Sequence, residues 1–227
     1  MENKCFSKNL VETLKKFHVL QHPFYQAWNE GKLPMNALQL YAKQYSHHVD
    51  AFPRYVSAAH SSCTDFKARQ ILLENLIDEE RGEDNHPELW KRFAEGLGVK
   101  REEIANEKLL PRTRELIDGF FKNCRKSAPE AIAALFAYEH QIPEVAETKI
   151  RGLKEHYDIT DSRSLEFFEL HQKADEYHTE AISEILDSFS QADQERAEKA
   201  SLEMAEKIWN FLSGICEASD IPCPRAA

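Results

Sequence analysis

Apolar residues recur at helical spacing through almost the whole chain. Leu10, Leu14 and Phe17 share one face of the first segment, and Leu72 and Leu76 do the same further along. Side chains three, four or seven residues apart lie on the same face of an α-helix. No run alternates apolar and polar residues with the two-residue period of a half-buried β-strand. The pattern therefore predicts an all-α protein.

Prolines, glycines and capping residues divide this pattern into helices. Proline fits the first turn of a helix, and short polar side chains accept hydrogen bonds from the first amides. In the first half of the chain, the predicted helices are one from about Ser7, one that opens at Pro34 and bends at Pro53, one capped by Asp65 or Thr64 that ends near Gly82, and one that restarts at Asn85 and Pro87. In the second half, they are one that opens at Pro111, one from Ser127 to about Tyr157 with a kink at Pro143, one capped by Asp161 or Ser162, and one capped by Asp193 that ends near Gly214. We expect one bundle of about seven to eight helices over residues 1–215 and a flexible tail over residues 216–227.

Composition supports helices and narrows the class of protein. The 227 residues include only 7 glycines, and glycine costs a helix interior about 1 kcal/mol relative to alanine. The formal net charge is -10 and no basic tract is present, which argues against a nucleic-acid partner. The longest apolar run, at 131–138, is far shorter than the ~20 residues of a membrane span. The 5 cysteines form no CxxC pair, and the N-terminal segment lacks a secretory signal, so we expect a reduced, cytoplasmic protein.

A group of polar residues interrupts an apolar face in the second half of the chain. The octapeptide HQKADEYH places His171, Asp175 and His178 at i, i+4 and i+7, on one face of a helix. Phe168 precedes this group on the same face and Ile182 follows it. Two imidazoles and a carboxylate thus stand where the pattern requires hydrophobic side chains.

Two other helices show the same kind of interruption. Glu139 shares a face with Leu135, and Glu79 shares a face with Leu76. His86 comes just after the helix break near Gly82, so its side chain can turn back toward Glu79. The chain therefore offers three further residues of ligand type at positions that face a core.

Together these interruptions supply three carboxylates and three imidazoles. A single buried His or Glu is typically a hydrogen-bonded core residue, and an HxxxDxxH face also occurs on solvated helices. Six such residues at core-facing positions favour a metal site, because burying carboxylates costs several kcal/mol each unless cations compensate. Two divalent cations would balance the charge and leave coordination positions for water or dioxygen. Mixed imidazole and carboxylate ligation suits iron or manganese, and helical bundles build dimetal sites in their cores.

Five segments resemble a known superfamily: FYQAW, QLYAKQY, LIDEERGEDNHPELWK, YEHQIPEVAETKIRGL and HQKADEYH. They are similar to the haem-oxygenase-like superfamily that includes TenA and PqqC. Within it they most resemble the CADD-like (Chlamydia protein associating with death domains) branch of di-iron oxidases, over nearly the whole chain except its tail. The resemblance implies a haem-oxygenase-like bundle. It also implies a ligand set that falls, with no member missing, on Glu79, His86, Glu139, His171, Asp175 and His178.

The resemblance implies an oxygen-dependent dimetal enzyme that makes 4-aminobenzoate, a folate precursor, with two divalent ions (Fe2+, or Fe2+ with Mn2+) and dioxygen as co-substrate. The resemblance also implies that the ring of the product comes from one of the enzyme's own tyrosines and the amino group from one of its own lysines. The matching positions are Tyr25 and Lys149, with Tyr41 as a second aromatic candidate. On helical spacing alone, Lys149 is typical of a solvated residue and Tyr25 of a packed aromatic. A homodimer and a host death-domain partner are implied in the same way.

Several other functions compete with this interpretation. A PqqC-like oxidase would act on a quinone precursor through basic side chains without a metal. A role in death-domain binding alone would not explain the six ligand-type residues. A ferritin-like metal-storage protein would have paired ExxH motifs, which are absent from this sequence. A TenA-type hydrolase needs a cysteine within the central helix, whereas AIAALFAYEHQ has none and Cys124 lies outside it.

Three residues near the predicted ligands are left outside the site. Tyr138 adjoins Glu139 but points about 100° away around the helix, so packing in the core is expected for it. His47 and His48 are typical of partly exposed helix histidines, the alternative being that they donate hydrogen bonds to ligating carboxylates.

Overall fold

The computed structural model describes residues 5–223, except for the side chains of residues 173–178. Within that part the chain forms α-helices, two 3-10 helices (Lys15–Phe17 and Val19–Gln21) and no strand. The α-helices are α1 (Phe6–Leu14), α2 (Pro23–Asn29), α3 (Met35–Ser62), α4 (Phe66–Glu80), α5 (His86–Gly96), α6 (Arg101–Asn106), α7 (Pro111–Cys124), α8 (Ala128–Glu139), α9 (Ile142–His156), α10 (Ser162–Ser188) and α11 (Gln191–Ala218). The all-α prediction is confirmed, with more helices than expected. None of the described helices is long and apolar enough to cross a membrane.

Side-chain caps fix several helix starts. Asp65 and Asp161 each accept a hydrogen bond from the backbone amide three residues on, at 2.8 and 2.9 Å, as the sequence predicts. The predicted cap of the last helix is wrong, because Ser190 takes that place and its hydroxyl accepts from Asp193 N at 3.3 Å. Asp193 instead lies in the first turn of α11, where a negative charge interacts favourably with the helix dipole.

Two predicted boundaries are also wrong. The segment Ser127–Tyr157 forms α8 and α9 rather than one kinked helix, because Pro143 lacks an amide hydrogen and opens a new first turn. Helix α11 continues past Gly214 and so includes Cys216, which the sequence assigned to the tail. Gly214 serves packing there, since an added Cβ would lie 2.8 Å from the Arg112 side chain.

Helix α8 lies at the centre of the bundle. Its residues 131–139 are buried, as expected for a helix that is apolar around nearly its whole circumference. Helices α3, α7, α10 and α11 pack around it. Because α8 has so little solvated surface, Glu139 in its last turn is held inside the protein, 3% exposed.

Three other helices bring predicted ligands toward α8. Helix α4 carries Glu79, α5 begins at His86, and α10 carries His171. Between α4 and α5, Gly82 has φ +82, a conformation that glycine adopts without steric cost. Asn85 closes this connection, because its amide nitrogen donates to Gly82 O at 2.9 Å while its side-chain oxygen caps α5. The turn places the start of α5 beside the end of α4.

Candidate metal centre

Four of the six predicted ligands meet in one buried cluster, and each is at most 7% exposed: Glu79, His86, Glu139 and His171. His86 Nδ1 lies 2.8 Å from Glu79 Oε2, as expected from the break at Gly82. The ring centroids of His86 and His171 are 4.2 Å apart. One ligand atom from each of Glu79, His86 and His171 lies within 4.8 Å of the others. The cluster lines a small cavity with four apolar or aromatic residues: Val49, Phe52, Tyr138 and Phe167.

Several polar atoms of the cluster have no hydrogen-bond partner among the described residues. They are both ring nitrogens of His86 and Oε2 of Glu139, although His86 Nδ1 lies close to Glu79. Glu139 Oε1 accepts a hydrogen bond from Asn75 Nδ2 at 2.8 Å. Buried polar atoms are normally paired, since each unpaired one costs about 1–3 kcal/mol. A cation placed among these atoms would satisfy them, so the donor set fits a metal site.

The electrostatics of the cluster also fit a cation. Burial raises the pKa of Glu139 to about 7, the hydrogen bond from Asn75 opposes this, and the charge of Glu79 adds to it. Without a positive partner, burial and the charge of Glu79 disfavour the ionised state that Glu139 would adopt as a ligand. Two imidazoles with two carboxylates are a combination suited to iron or manganese.

The backbone of α10 orients His171. Its Nδ1 lies 2.6 Å from Phe167 O. A carbonyl oxygen only accepts hydrogen bonds, so Nδ1 carries the proton and the lone pair is on Nε2. Metal-ligating histidines commonly donate their second ring nitrogen in this way, which fixes the tautomer and the ring.

Two predicted ligands, Asp175 and His178, lie outside the residues whose side chains the structure describes. Helix α10 runs through both positions. On a helix they follow His171 by one and two turns, on the same face. Their role as ligands stays a prediction from the sequence.

A second buried pocket is lined by Tyr25 and Lys149, two of the three residues that the resemblance assigns to the reaction, and the third, Tyr41, lies beside Lys149. Lys149 is only 3% exposed, so the solvated position that spacing indicated for it is wrong. The reason is that a separate helix, α9, starts at Ile142, which breaks the angular relation between Lys149 and α8. Lys149 Nζ lies 5.5 Å from the ring centroids of both Tyr25 and Tyr41. Three more rings enclose it at 5.2 to 5.9 Å: Tyr45, Trp90 and Phe168.

The ionisation of this pocket favours neutral groups. Burial lowers the pKa of Lys149 to about 7, so near neutral pH much of it is an uncharged, nucleophilic amine. Burial raises the pKa of Tyr25 and of Tyr41 above the usual value, so both remain phenols. Their hydroxyls lie 3.1 Å apart and share a hydrogen bond.

Tyr138 connects the cluster and the pocket. Sequence reasoning did not predict this connection. Its ring lines both spaces, and its hydroxyl is hydrogen-bonded to that of Tyr45. Tyr45 in turn stacks on Tyr41 with ring centroids 5.3 Å apart. A signal was present, since Tyr41 and Tyr45 are four residues apart and share a helix face.

Near the cluster, sequence reasoning also missed Asn75 and expected the wrong exposure for His48. Asn75, which holds Glu139, is 2% exposed and stands four residues before Glu79 on the same face. His48 is 1% exposed, so the expectation of partial exposure is wrong for it, whereas His47 is half-buried as expected. Burial lowers the pKa of His48 to about 3, and its ring centroid lies 5.0 Å from that of Tyr138. His48 is therefore a neutral ring packed against Tyr138.

Replacing Lys149 with methionine is expected to stabilise the fold, and more so at low pH. Above its folded pKa of about 7 the folded chain has released the proton, while the unfolded chain keeps it up to about 10.5. Unfolding therefore takes up a proton between these values, and the wild type gains stability as pH rises through that window. The gain in the free energy of unfolding from Lys149→Met should be about 2 kcal/mol larger at pH 6.5 than at pH 9. Denaturant unfolding at both pH values measures it.

The matched control is Lys154→Met, because Lys154 is exposed on the same helix. Its change in unfolding free energy should be small at both pH values. An advantage of Lys149→Met that does not depend on pH would contradict a depressed pKa for Lys149.

The chain matches known proteins along nearly its whole length. The statistical model of the TENA/THI-4/PQQC family matches residues 8–218. The chain belongs to this family. It is 40% identical over 216 residues to a 4-aminobenzoate synthase of Chlamydia pneumoniae, covering 94% of this chain and 96% of that protein. A 4-aminobenzoate synthase of Nitrosomonas europaea is 40% identical over 229 residues, covering 96% and 93%.

Solved structures of other proteins share the fold. A domain with a heme oxygenase-like fold from Shewanella denitrificans has a TM-score of 0.77 at 17% identity, covering 94% of this chain and 91% of that one. A CADD-like protein from Nostoc punctiforme has a TM-score of 0.73 at 16% identity, covering 94% and 98%. These likenesses confirm the haem-oxygenase-like bundle.

Proposed function

We propose that this protein makes 4-aminobenzoate in an oxygen-dependent reaction at a dimetal centre, with the ring supplied by Tyr25 and the nitrogen by Lys149. The observation that carries the proposal is the buried Lys149 amine, 5.5 Å from the Tyr25 ring, in a pocket that shares Tyr138 with the carboxylate and imidazole cluster. The relatives named 4-aminobenzoate synthase support the identity of the product.

The proposal assigns the metal ions to the four clustered side chains and to two residues chosen from sequence alone: Glu79, His86, Glu139 and His171, with Asp175 and His178. When bound, two ions such as iron, or iron with manganese, would supply the activation of dioxygen. Asn75 holds the Glu139 carboxylate, and the Phe167 carbonyl fixes the His171 ring. A homodimer in the cytoplasm belongs to the proposal on the family resemblance alone.

In this proposal the pocket positions both donors and keeps water away from them. Tyr25 is 3% exposed, and its hydroxyl is oriented by that of Tyr41. Near neutral pH Lys149 faces the Tyr25 ring partly as a neutral amine, which has the lone pair needed to form a carbon–nitrogen bond. Because both donors belong to the chain, each protein molecule would act once.

Two competing reactions receive less support. A TenA-type hydrolase needs an activated thiol, but Cys124 is buried at the end of α7 and burial raises its pKa. A PqqC-like oxidase needs several basic side chains around its substrate. Lys149 is the single basic residue among those that line the described pocket.

Isotope labelling tests the origin of the product. Protein grown with ring-¹³C tyrosine and side-chain ¹⁵N lysine should, after anaerobic loading with iron and exposure to air, release 4-aminobenzoate that carries both labels. Mass spectrometry of the product measures this. Protein grown with ring-¹³C phenylalanine is the control and should release unlabelled product. Unlabelled product from the tyrosine- and lysine-labelled protein would mean that an external substrate is used.

A further inference from the structure

A second cluster of reactive side chains lies at the end of α11 and shares no residue with the proposed metal centre. His22 Nε2, Cys216 Sγ and Cys223 Sγ all lie within 4.8 Å of one another. His22 and Cys216 are fully buried, whereas Cys223 is half-buried. The cluster thus combines two thiols, one of them accessible, with an imidazole.

The chain reversal after α11 brings the two cysteines together. Ile221 N donates to Cys216 O at 2.9 Å, and Asp220 adopts φ +54, a left-handed conformation that turns the chain back. Cys223 therefore returns to the side of the helix that carries Cys216. The two sulfur atoms, within 4.8 Å of one another, must approach to about 2.0 Å to form a disulfide.

His22 is oriented to donate a hydrogen bond from Nε2, toward Ser213 and Cys223, rather than to bind a cation. Its Nδ1 accepts a hydrogen bond from Phe24 N at 3.0 Å, which caps α2. A neutral imidazole carries one proton, so the proton is on Nε2. Nε2 lies 3.1 Å from Ser213 Oγ and 3.6 Å from Cys223 Sγ. A metal at Nε2 would move that proton to Nδ1, where it would face the Phe24 amide.

We propose that Cys223 and Cys216 form an intramolecular disulfide by exchange with small-molecule disulfides, and that His22 is a positioning residue for the Cys223 thiolate. The Cys223 thiolate attacks a disulfide RSSR, forms a mixed disulfide and releases RS⁻. Cys216 loses its proton to solvent, attacks the Cys223 sulfur and releases the second RS⁻. The two protein thiols are oxidised by two electrons, and one RSSR is reduced to two thiols.

The order of attack follows from exposure. Cys223 is reachable from solvent, whereas Cys216 is buried and burial raises its pKa, so it reacts only after its partner has been modified. The remaining cysteines lack this arrangement in the described part of the chain. Cys63 and Cys124 are buried, and the Cys5 thiol donates a hydrogen bond to the Asp187 carboxylate.

Incubation of the full-length protein with oxidised glutathione tests the proposal. Alkylation of remaining thiols, digestion and mass spectrometry should show a Cys216–Cys223 cross-linked peptide and no lasting glutathione adduct. Cys216→Ser should instead retain glutathione on Cys223, and Cys223→Ser should form neither product. Cys63→Ser is the matched control and should behave as the wild type. A wild-type glutathione adduct on Cys223 that never resolves into the disulfide would overturn the proposal.

The role of His22 has its own variant. His22→Asn keeps a side-chain oxygen to cap α2 but removes the imidazole N–H beside Cys223. The mixed disulfide should form about tenfold more slowly in this variant. A rate equal to the wild type would remove His22 from the proposal. Added zinc gives a further test. If one zinc ion binds per reduced chain, blocks the reaction and no longer binds in Cys216→Ser, the cluster is a metal site and the disulfide proposal is wrong.

Discussion

Replacing Tyr25 with phenylalanine is expected to abolish 4-aminobenzoate formation while leaving metal binding intact. Phenylalanine keeps the ring in place, but it lacks the hydroxyl that makes a phenol readily oxidised. The hydroxyl of Tyr41 would lose its partner, which costs the fold about 1–3 kcal/mol. Tyr25 is not a member of the carboxylate and imidazole cluster, so metal content should not change. Mass spectrometry of the product and elemental analysis of the protein measure the two effects.

Two control variants separate the candidate donors. Tyr41→Phe removes the same hydrogen bond from its other end but keeps the proposed donor, so product should still form, at a reduced level. Tyr157→Phe alters a tyrosine whose hydroxyl accepts from Leu33 N and should match the wild type. Product from Tyr25→Phe together with none from Tyr41→Phe would identify Tyr41 as the donor.

Replacing His171 with alanine is expected to remove stoichiometric metal. Wild-type protein loaded anaerobically with iron should hold about two ions per chain, as dimetal carboxylate bundles do. His171 lies against His86, so its loss opens the cluster at the centre of the ligand set. Elemental analysis after desalting should find the variant at least one ion short. His60→Ala, which alters a half-buried histidine at the far end of α3, is the control and should keep both ions.

Thermal unfolding gives an independent measurement of the same site. A ligand that binds only the folded state stabilises it by about 2.7 kcal/mol at a hundred times its dissociation constant. Iron should therefore raise the Tm of the wild type and of His60→Ala, but not that of His171→Ala. No stoichiometric metal and no shift in the wild type would leave a shared fold without dimetal chemistry, and would favour the PqqC-like alternative.

The amino-acid sequence by itself determined the fold class and most of the described carboxylate and imidazole cluster. Helical periodicity alone identifies a core face, and Glu139 stands out because it interrupts a strongly apolar helix. The helix break at Gly82 predicts that the His86 side chain turns back toward Glu79, and His86 Nδ1 lies 2.8 Å from Glu79 Oε2. These inferences succeed because each needs only the spacing within one helix or across one tight turn. His171 was found in the same way, from the face that it shares with Phe168.

Only the tertiary structure decided which faces meet. Lys149 has the spacing of a solvated residue, yet rings from four helices enclose it: α2, α3, α5 and α10. Tyr138 joins the cluster to that pocket, and Cys223 returns to Cys216, through contacts between segments that are distant or reversed in the chain. Periodicity reports that a face is buried but not what it is buried against. That depends on how the helices pack, which no single helix encodes.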